Sequence, residues 1–117
     1  MPYVGKVSGH PAILEGRPDD IVDSARAAVT QGVSGINLLA YRYPGDGLRL
    51  VRDVVTAVAA PVLSAGSIDS ISRVRAICRA GVWGFTIGGA VVTRRLVGGT
   101  FRDQVLAVLD AVNQEVA

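Results

Sequence analysis

Apolar residues follow two alternating rhythms along this chain. Tyr3 to Ser8, Val33 to Ala40, Pro61 to Ala65 and Val82 to Gly88 are short, largely aliphatic runs bounded by Gly or Pro. Continuous runs of this length predict strands covered on both faces, as in parallel sheets. Between them, apolar positions recur at helical spacing and end signals frame each segment. Asp19 or Asp20 can cap a helix carrying Ile21, Val22, Ala25 and Val29, with Gly32 where a left-handed terminator is wanted. A second helix runs from about Asp46 through Leu48, Val51, Val54, Val55 and Val58 and stops before Pro61. A third is capped by Ser67 or Asp69, carries Ile71, Val74, Ile77 and Cys78, and ends at Gly81; a short helix is expected at Val91 to Leu96. The last begins at Thr100, which forms a capping box with Asp103, and carries Phe101, Val105, Val108, Leu109 and Val112. The predicted order is β-α-β-α-β-α-β-α, which implies parallel strands joined by right-handed crossovers.

An internal echo supports a unit repeated twice. Gly32-Val33-Ser34-Gly35-Ile36-Asn37-Leu38 aligns with Gly81-Val82-Trp83-Gly84-Phe85-Thr86-Ile87, a spacing that fits two βα units. The chain has 117 residues, half of them apolar, enough for one domain. Its longest apolar runs fall short of the ~18 residues of a membrane helix, and its start lacks a signal-peptide pattern, so a cytoplasmic protein is expected. Twelve basic and ten acidic residues leave a formal charge of +2, with the arginines scattered, so nucleic acid is not an expected partner. A lone cysteine, Cys78, excludes an intrachain disulfide and reads as helix core. One histidine and few acids in ligand spacing give no metal site, and no cofactor is called for.

Two glycine-containing loops carry the candidate chemistry. Ser64-Ala65-Gly66-Ser67 follows the third strand, and Thr86-Ile87-Gly88-Gly89-Ala90 follows the fourth. Glycine admits close approach of an anion to the backbone, and a following helix start offers unpaired N–H donors. Both loops fall at the carboxyl ends of adjacent strands, where Gly66, Ser67, Gly88 and Gly89 can form a phosphate cup. Tight packing or a simple turn is the plainer explanation of each loop taken singly.

From Pro61 to Ser70, and again from Ala80 to Ala90, the sequence resembles the last two βα units of phosphate-binding TIM barrels. The similarity extends to the isomerase of histidine biosynthesis that acts on a phosphoribosyl carboxamide. It implies that backbone amides at Gly66, Ser67, Gly88 and Gly89 hold a sugar phosphate. The second strand ends in Asn37-Leu38-Leu39-Ala40-Tyr41, without the acid that this family places there, so the resemblance carries the phosphate loops and not the isomerase's acids.

Three residues are catalytic candidates. Alternation along the first strand puts Val4, Lys6 and Ser8 on one face. A buried Lys6, the only lysine, would meet an anion or act as a base or Schiff-base nucleophile, whereas an exposed Lys6 would guard an edge strand. His10, after the first strand, suits a general acid or base or a solvent-facing loop. Asn37 suits a substrate hydroxyl or a neighbouring backbone group. Arg42, in the loop Ala40 to Gly47, is a possible substrate clamp or a subunit contact. Arg94-Arg95 read as a solvated face.

The expected fold is α/β, four βα units forming half of a (βα)8 TIM barrel with phosphate-binding loops after the last two strands; an open flavodoxin-like parallel sheet is the alternative. A whole barrel needs ~200 residues or more, so two chains pair, the chain is part of a longer protein, or the sheet stays open. A half-barrel exposes two edges and an apolar face, so self-association as a homodimer or higher oligomer is expected. The expected function is binding and transforming a small phosphorylated metabolite, as a sugar-phosphate isomerase or aldolase-like lyase. The alternative is a non-catalytic half-barrel that only binds phosphate ligands or assembles.

Overall fold

The computed structural model describes residues 1–116. Its centre is a three-stranded parallel sheet of β3 (Ile36–Leu38), β4 (Val62–Ser64) and β5 (Gly84–Phe85), side by side in that order. Ile36 pairs with Val62 and Leu38 with Ser64, and Ser64 in turn pairs with Phe85. The chain's start lies along the free side of β3. The Asn37 N–H donates to the Pro2 carbonyl at 2.8 Å and the Val4 N–H to the Asn37 carbonyl at 3.1 Å, a parallel bridge centred on Tyr3. The strands are shorter than the aliphatic runs that predicted them, because only their middles pair.

Helix α1 (Pro18–Thr30) leads into β3, α2 (Gly47–Ala57) connects β3 to β4, and α3 (Ile71–Arg79) connects β4 to β5. They supply Ile21, Ala25, Leu50, Val51, Val54, Val74 and Ile77 to a core shared with Ile36, Leu38 and Val62. Alternation places Tyr3, Asn37, Leu63 and Gly84 on the other face, where Tyr3 is 56% exposed and Asn37 and Leu63 are half-buried. The short α4 (Gly89–Val92) follows β5, and α5 (Phe101–Val116) packs along α3, with Glu115 accepting two bonds from Arg79 at 2.7 and 2.9 Å. No helix among the described residues is long and apolar enough to cross a membrane.

One predicted element is wrong. Tyr3 to Ser8 is not a single parallel strand. Gly5 takes φ +80°, and a Cβ there would lie 2.7 Å from Leu14 Cδ1, so the chain turns at this point. Lys6–Ser8 (β1) then forms an antiparallel hairpin with Ile13–Glu15 (β2), pairing Lys6 with Glu15 and Ser8 with Ile13.

The helix ends divide similarly. Asp46 caps α2, accepting the Arg49 N–H at 3.1 Å, and Thr100 with Asp103 forms the expected box at the head of α5. In α1 the expected caps lie inside the helix, which starts at Pro18; Asp20 instead accepts the Arg17 N–H at 3.3 Å. In α3 the cap is Ser70, accepting the Arg73 N–H at 3.2 Å, and not Ser67 or Asp69. The helix expected at Val91 to Leu96 starts earlier, at Gly89, and closes where Arg94 adopts a left-handed φ of +56°.

Candidate functional site

Two loops converge beyond the carboxyl ends of β4 and β5, where parallel α/β folds gather their ligands. After β4 the backbone turns through Gly66 at φ +84° and Ser67 at φ +58°, then reaches the Ser70 cap of α3. After β5, Gly88 precedes the first turn of α4, and the places where Cβ atoms at Gly88 and Gly89 would stand are open space. A cavity of about 270 Å³ lies between these loops, lined by Arg42, Ser67, Asp69, Gly89, Ala90, Thr93 and Arg95.

Arg42 reaches this cavity from the short 3-10 turn Ala40–Arg42 that follows β3. Its Nη1 donates to the Ala12 carbonyl in the hairpin at 3.3 Å, while its Nε is buried without a hydrogen-bond partner. Glycine at position 66 makes room for this side chain, since a Cβ there would stand 2.7 Å from Arg42 Nε and 3.3 Å from its Cδ. Asp69, the cavity's only carboxylate, faces Arg73 at 3.5 Å. Arg73 also donates to the Ser67 carbonyl at 2.5 Å and stacks over the Tyr41 ring at 4.4 Å. Neither Arg42 nor Arg95 has a carboxylate partner among the described residues.

A second cavity, of about 430 Å³, adjoins the first and shares Arg42 and Ser67 with it. It lies between the hairpin and the segment Tyr41 to Pro44. The two walls are tied by the Arg42 bond to Ala12 and by the Tyr43 hydroxyl, which donates to the Gly16 carbonyl at 3.1 Å.

The predicted residues are distributed unevenly over this geometry. Ser67 and Gly89 line the smaller cavity, Gly66 lies beneath Arg42, and Gly88 is the residue before α4. The possible clamp, Arg42, stands at the junction of the two cavities. The catalytic candidates Lys6, His10 and Asn37 do not gather there. Lys6 is not desolvated in a buried strand; its side chain is 77% exposed on the hairpin and faces Glu15 at 3.5 Å. His10 is exposed in the hairpin turn. Asn37 donates through Nδ2 to the Met1 carbonyl at 2.6 Å, serving the neighbouring backbone.

Arg94 and Arg95 are both solvent-exposed, as expected, and after the left-handed turn at Arg94 the Arg95 side chain also borders the smaller cavity. The Arg95 N–H then closes onto the Ala90 carbonyl at 2.9 Å. Sequence reasoning passed over Gln104 altogether. It is fully buried, accepts the Leu96 and Val97 N–H groups at 3.0 and 3.1 Å, and donates to the Val97 and Thr100 carbonyls at 2.8 and 3.3 Å. It thereby fastens the segment between α4 and α5. The Cys78 thiol is half-buried on α3 and pushed up, first by burial and then by the Glu115 charge, which makes it a weak nucleophile.

Comparison with solved structures finds the same arrangement in part of larger chains. A chain of the Amycolatopsis orientalis BexX/CysO complex superposes with a TM-score of 0.66 at 18% identity, over 85% of this chain and 40% of that one. The (S)-3-O-geranylgeranylglyceryl phosphate synthase of Thermoplasma acidophilum, in complex with sn-glycerol-1-phosphate, superposes with a TM-score of 0.65 at 20% identity, over 80% and 37%. The fold is thus TIM-barrel-like, and the chain spans about two fifths of the length of these two structures. Neither a family profile nor a curated protein sequence matches it.

Proposed function

We propose that this chain binds a small phosphorylated metabolite in the cavity between the loops after β4 and β5. Arg42 is the observation that carries this reading. Its guanidinium keeps a buried N–H unpartnered beside a cavity that also holds Arg95, Ser67 and Thr93. A charged donor is costly to bury without a partner, and a guanidinium at the edge of a cavity with no carboxylate to neutralise it favours an anion there. Gly89 lines the opposite wall with open space where a side chain would stand, as it would also at Gly88 just before it, and the N–H groups of the first two residues of α4 have no intrahelical acceptor. The glycerol phosphate held by the structurally similar synthase belongs to the same ligand class.

In this reading the four parallel segments form one half of a (βα)8 barrel, and the site lies after its last two strands. Binding is the function that the geometry supports best. Isomerase or lyase chemistry needs an acid, base or amine near the ligand; Lys6, His10 and Asn37 do not line this cavity, and the carboxylate that does, Asp69, is paired with Arg73. Titration of the chain with inorganic phosphate, followed by thermal shift and calorimetry, tests the site. Saturable stabilisation that Gly88→Asp abolishes is the expected result; equal response of the two proteins refutes it.

A further inference from the structure

We propose that the ligand's non-phosphate part is a ring-sized apolar group, aromatic or branched aliphatic, seated in the larger cavity between the hairpin and the Tyr41 to Pro44 segment. This rests on the phosphate reading above and specifies the substrate class of the same site. The two cavities meet at Arg42 and Ser67, so a molecule whose phosphate lies on Arg42 extends naturally into the larger one. Its volume, about 430 Å³, lies in the range of ligand pockets.

The wall of that cavity is apolar: Pro11, Ala12 and Ile13 from the hairpin face Tyr41, Tyr43 and Pro44. Apart from Arg42 and Ser67 at the junction with the smaller cavity, its polar side chains are already engaged. The Tyr41 hydroxyl donates to the Arg73 carbonyl at 3.4 Å and the Tyr43 hydroxyl to the Gly16 carbonyl. Glu15 accepts the Ser8 hydroxyl at 2.6 Å and faces Lys6 at 3.5 Å. A sugar entering here would shed water from several hydroxyls and find few free partners, each an uncompensated cost. An apolar group meets no such penalty and covers Ile13, which is 47% exposed without it. Because Arg42 and Tyr43 tie the two walls together, the cleft is shaped before the ligand arrives.

The experiment compares phenyl phosphate, glycerol 1-phosphate and inorganic phosphate by calorimetry on the full chain, alongside Ile13→Asp and the milder Ile13→Ser. Ile13 projects from an exposed hairpin position, and circular dichroism verifies that both variants fold. Phenyl phosphate should bind at least about tenfold more tightly than glycerol 1-phosphate. Both variants should lose that preference, and Ile13→Ser, which adds no charge, should keep the affinity for inorganic phosphate. Equal or tighter binding of glycerol 1-phosphate, or a preference that survives both substitutions, overturns the inference and leaves the phosphate site standing. Failure of all three phosphates to bind overturns both.

Discussion

Replacing Gly66 by Ala isolates the link between backbone geometry and the proposed phosphate site. The new methyl acts in two separable ways. Alanine at φ +84° is strained, which costs about 1 kcal/mol of stability whatever surrounds it. The Cβ would also stand 2.7 Å from Arg42 Nε and 3.4 Å from Cζ, inside contact distance, and the guanidinium must swing away. A charge-assisted hydrogen bond is worth about 1.5–3 kcal/mol, so displacing Arg42 should weaken phosphate binding by about 10-fold or more. The decisive assay is a double-mutant cycle of Gly66→Ala and Arg42→Ala, with phosphate affinity read by calorimetry and stability by denaturant unfolding. Either single variant should lose affinity, and the double variant should lose no more than Arg42→Ala alone. The stability cost of Gly66→Ala should persist in both backgrounds, since the backbone strain does not depend on Arg42. If Gly66→Ala weakens binding equally with and without Arg42, the glycine acts on phosphate by another route and the assigned geometry is wrong.

Further expectations follow from single contacts. Ser64 is fully buried with its Oγ unpartnered, so Ser64→Ala should stabilise the protein by about 1 kcal/mol, and a loss in denaturant midpoint would show that the hydroxyl has a partner. Gln104→Leu removes four hydrogen bonds to the segment between α4 and α5 and should cost about 3 kcal/mol by the same assay, with an unchanged midpoint as the contrary result. The Asp103 carboxyl is held below its ordinary range by the Thr100 N–H and hydroxyl, and that of Glu115 by Arg79 and then Arg75. Both groups therefore stabilise fully at neutral pH and less as pH falls through their lowered values, so the gap in denaturant midpoint between wild type and Asp103→Asn or Glu115→Gln should close in acid. Finally, Phe101, Val105 and Leu109 form an exposed stripe on α5, while Pro2–Val4 and β5 are parallel edges that a second copy can pair about a two-fold axis along the strands. Light scattering should find a dimer at micromolar concentration that Leu109→Asp dissociates, and a monodisperse wild-type monomer would refute this.

Legibility in the sequence tracks how local each interaction is. The Asp46 cap and the Thr100–Asp103 box involve residues three apart, and both form as their spacing predicts. Gly32 and Gly81, matched in the internal echo, turn with φ of +90° and +91°. The hairpin was hidden because Val4, Lys6 and Ser8 alternate like a strand, while the chain breaks at Gly5, where a side chain would meet Leu14, nine residues on. Gly5, together with Ser8-Gly9-His10-Pro11 ahead of Ala12-Ile13-Leu14, was the available signal. Gln104 had none, since its partners are backbone groups of a loop whose course no local pattern dictates. Arg42 stood out by residue type, but the larger cavity that it borders exists only once the hairpin folds over the 3-10 turn.

The same dependence explains why glycine-rich loops are insufficient as a description of the site. Loop glycines admit an anion without attracting it strongly; the attraction comes from side-chain charge left uncompensated by the fold. Around the smaller cavity, Asp69 is matched by Arg73, whereas Arg42 and Arg95 lack a carboxylate partner among the described residues. In the proposed site a phosphomonoester dianion supplies the countercharge these two arginines lack. Such binding should weaken with added salt at Arg95, which is exposed, and less at Arg42, whose Nε is buried and therefore poorly screened. Arg42 also spans from the phosphate cavity to the hairpin carbonyl of Ala12, so anchoring the anion there orients the rest of the ligand toward the apolar wall. In the proposed binding, charge sets where the ligand is held, and the hairpin, the element that periodicity misread, sets what the remainder of the ligand can be.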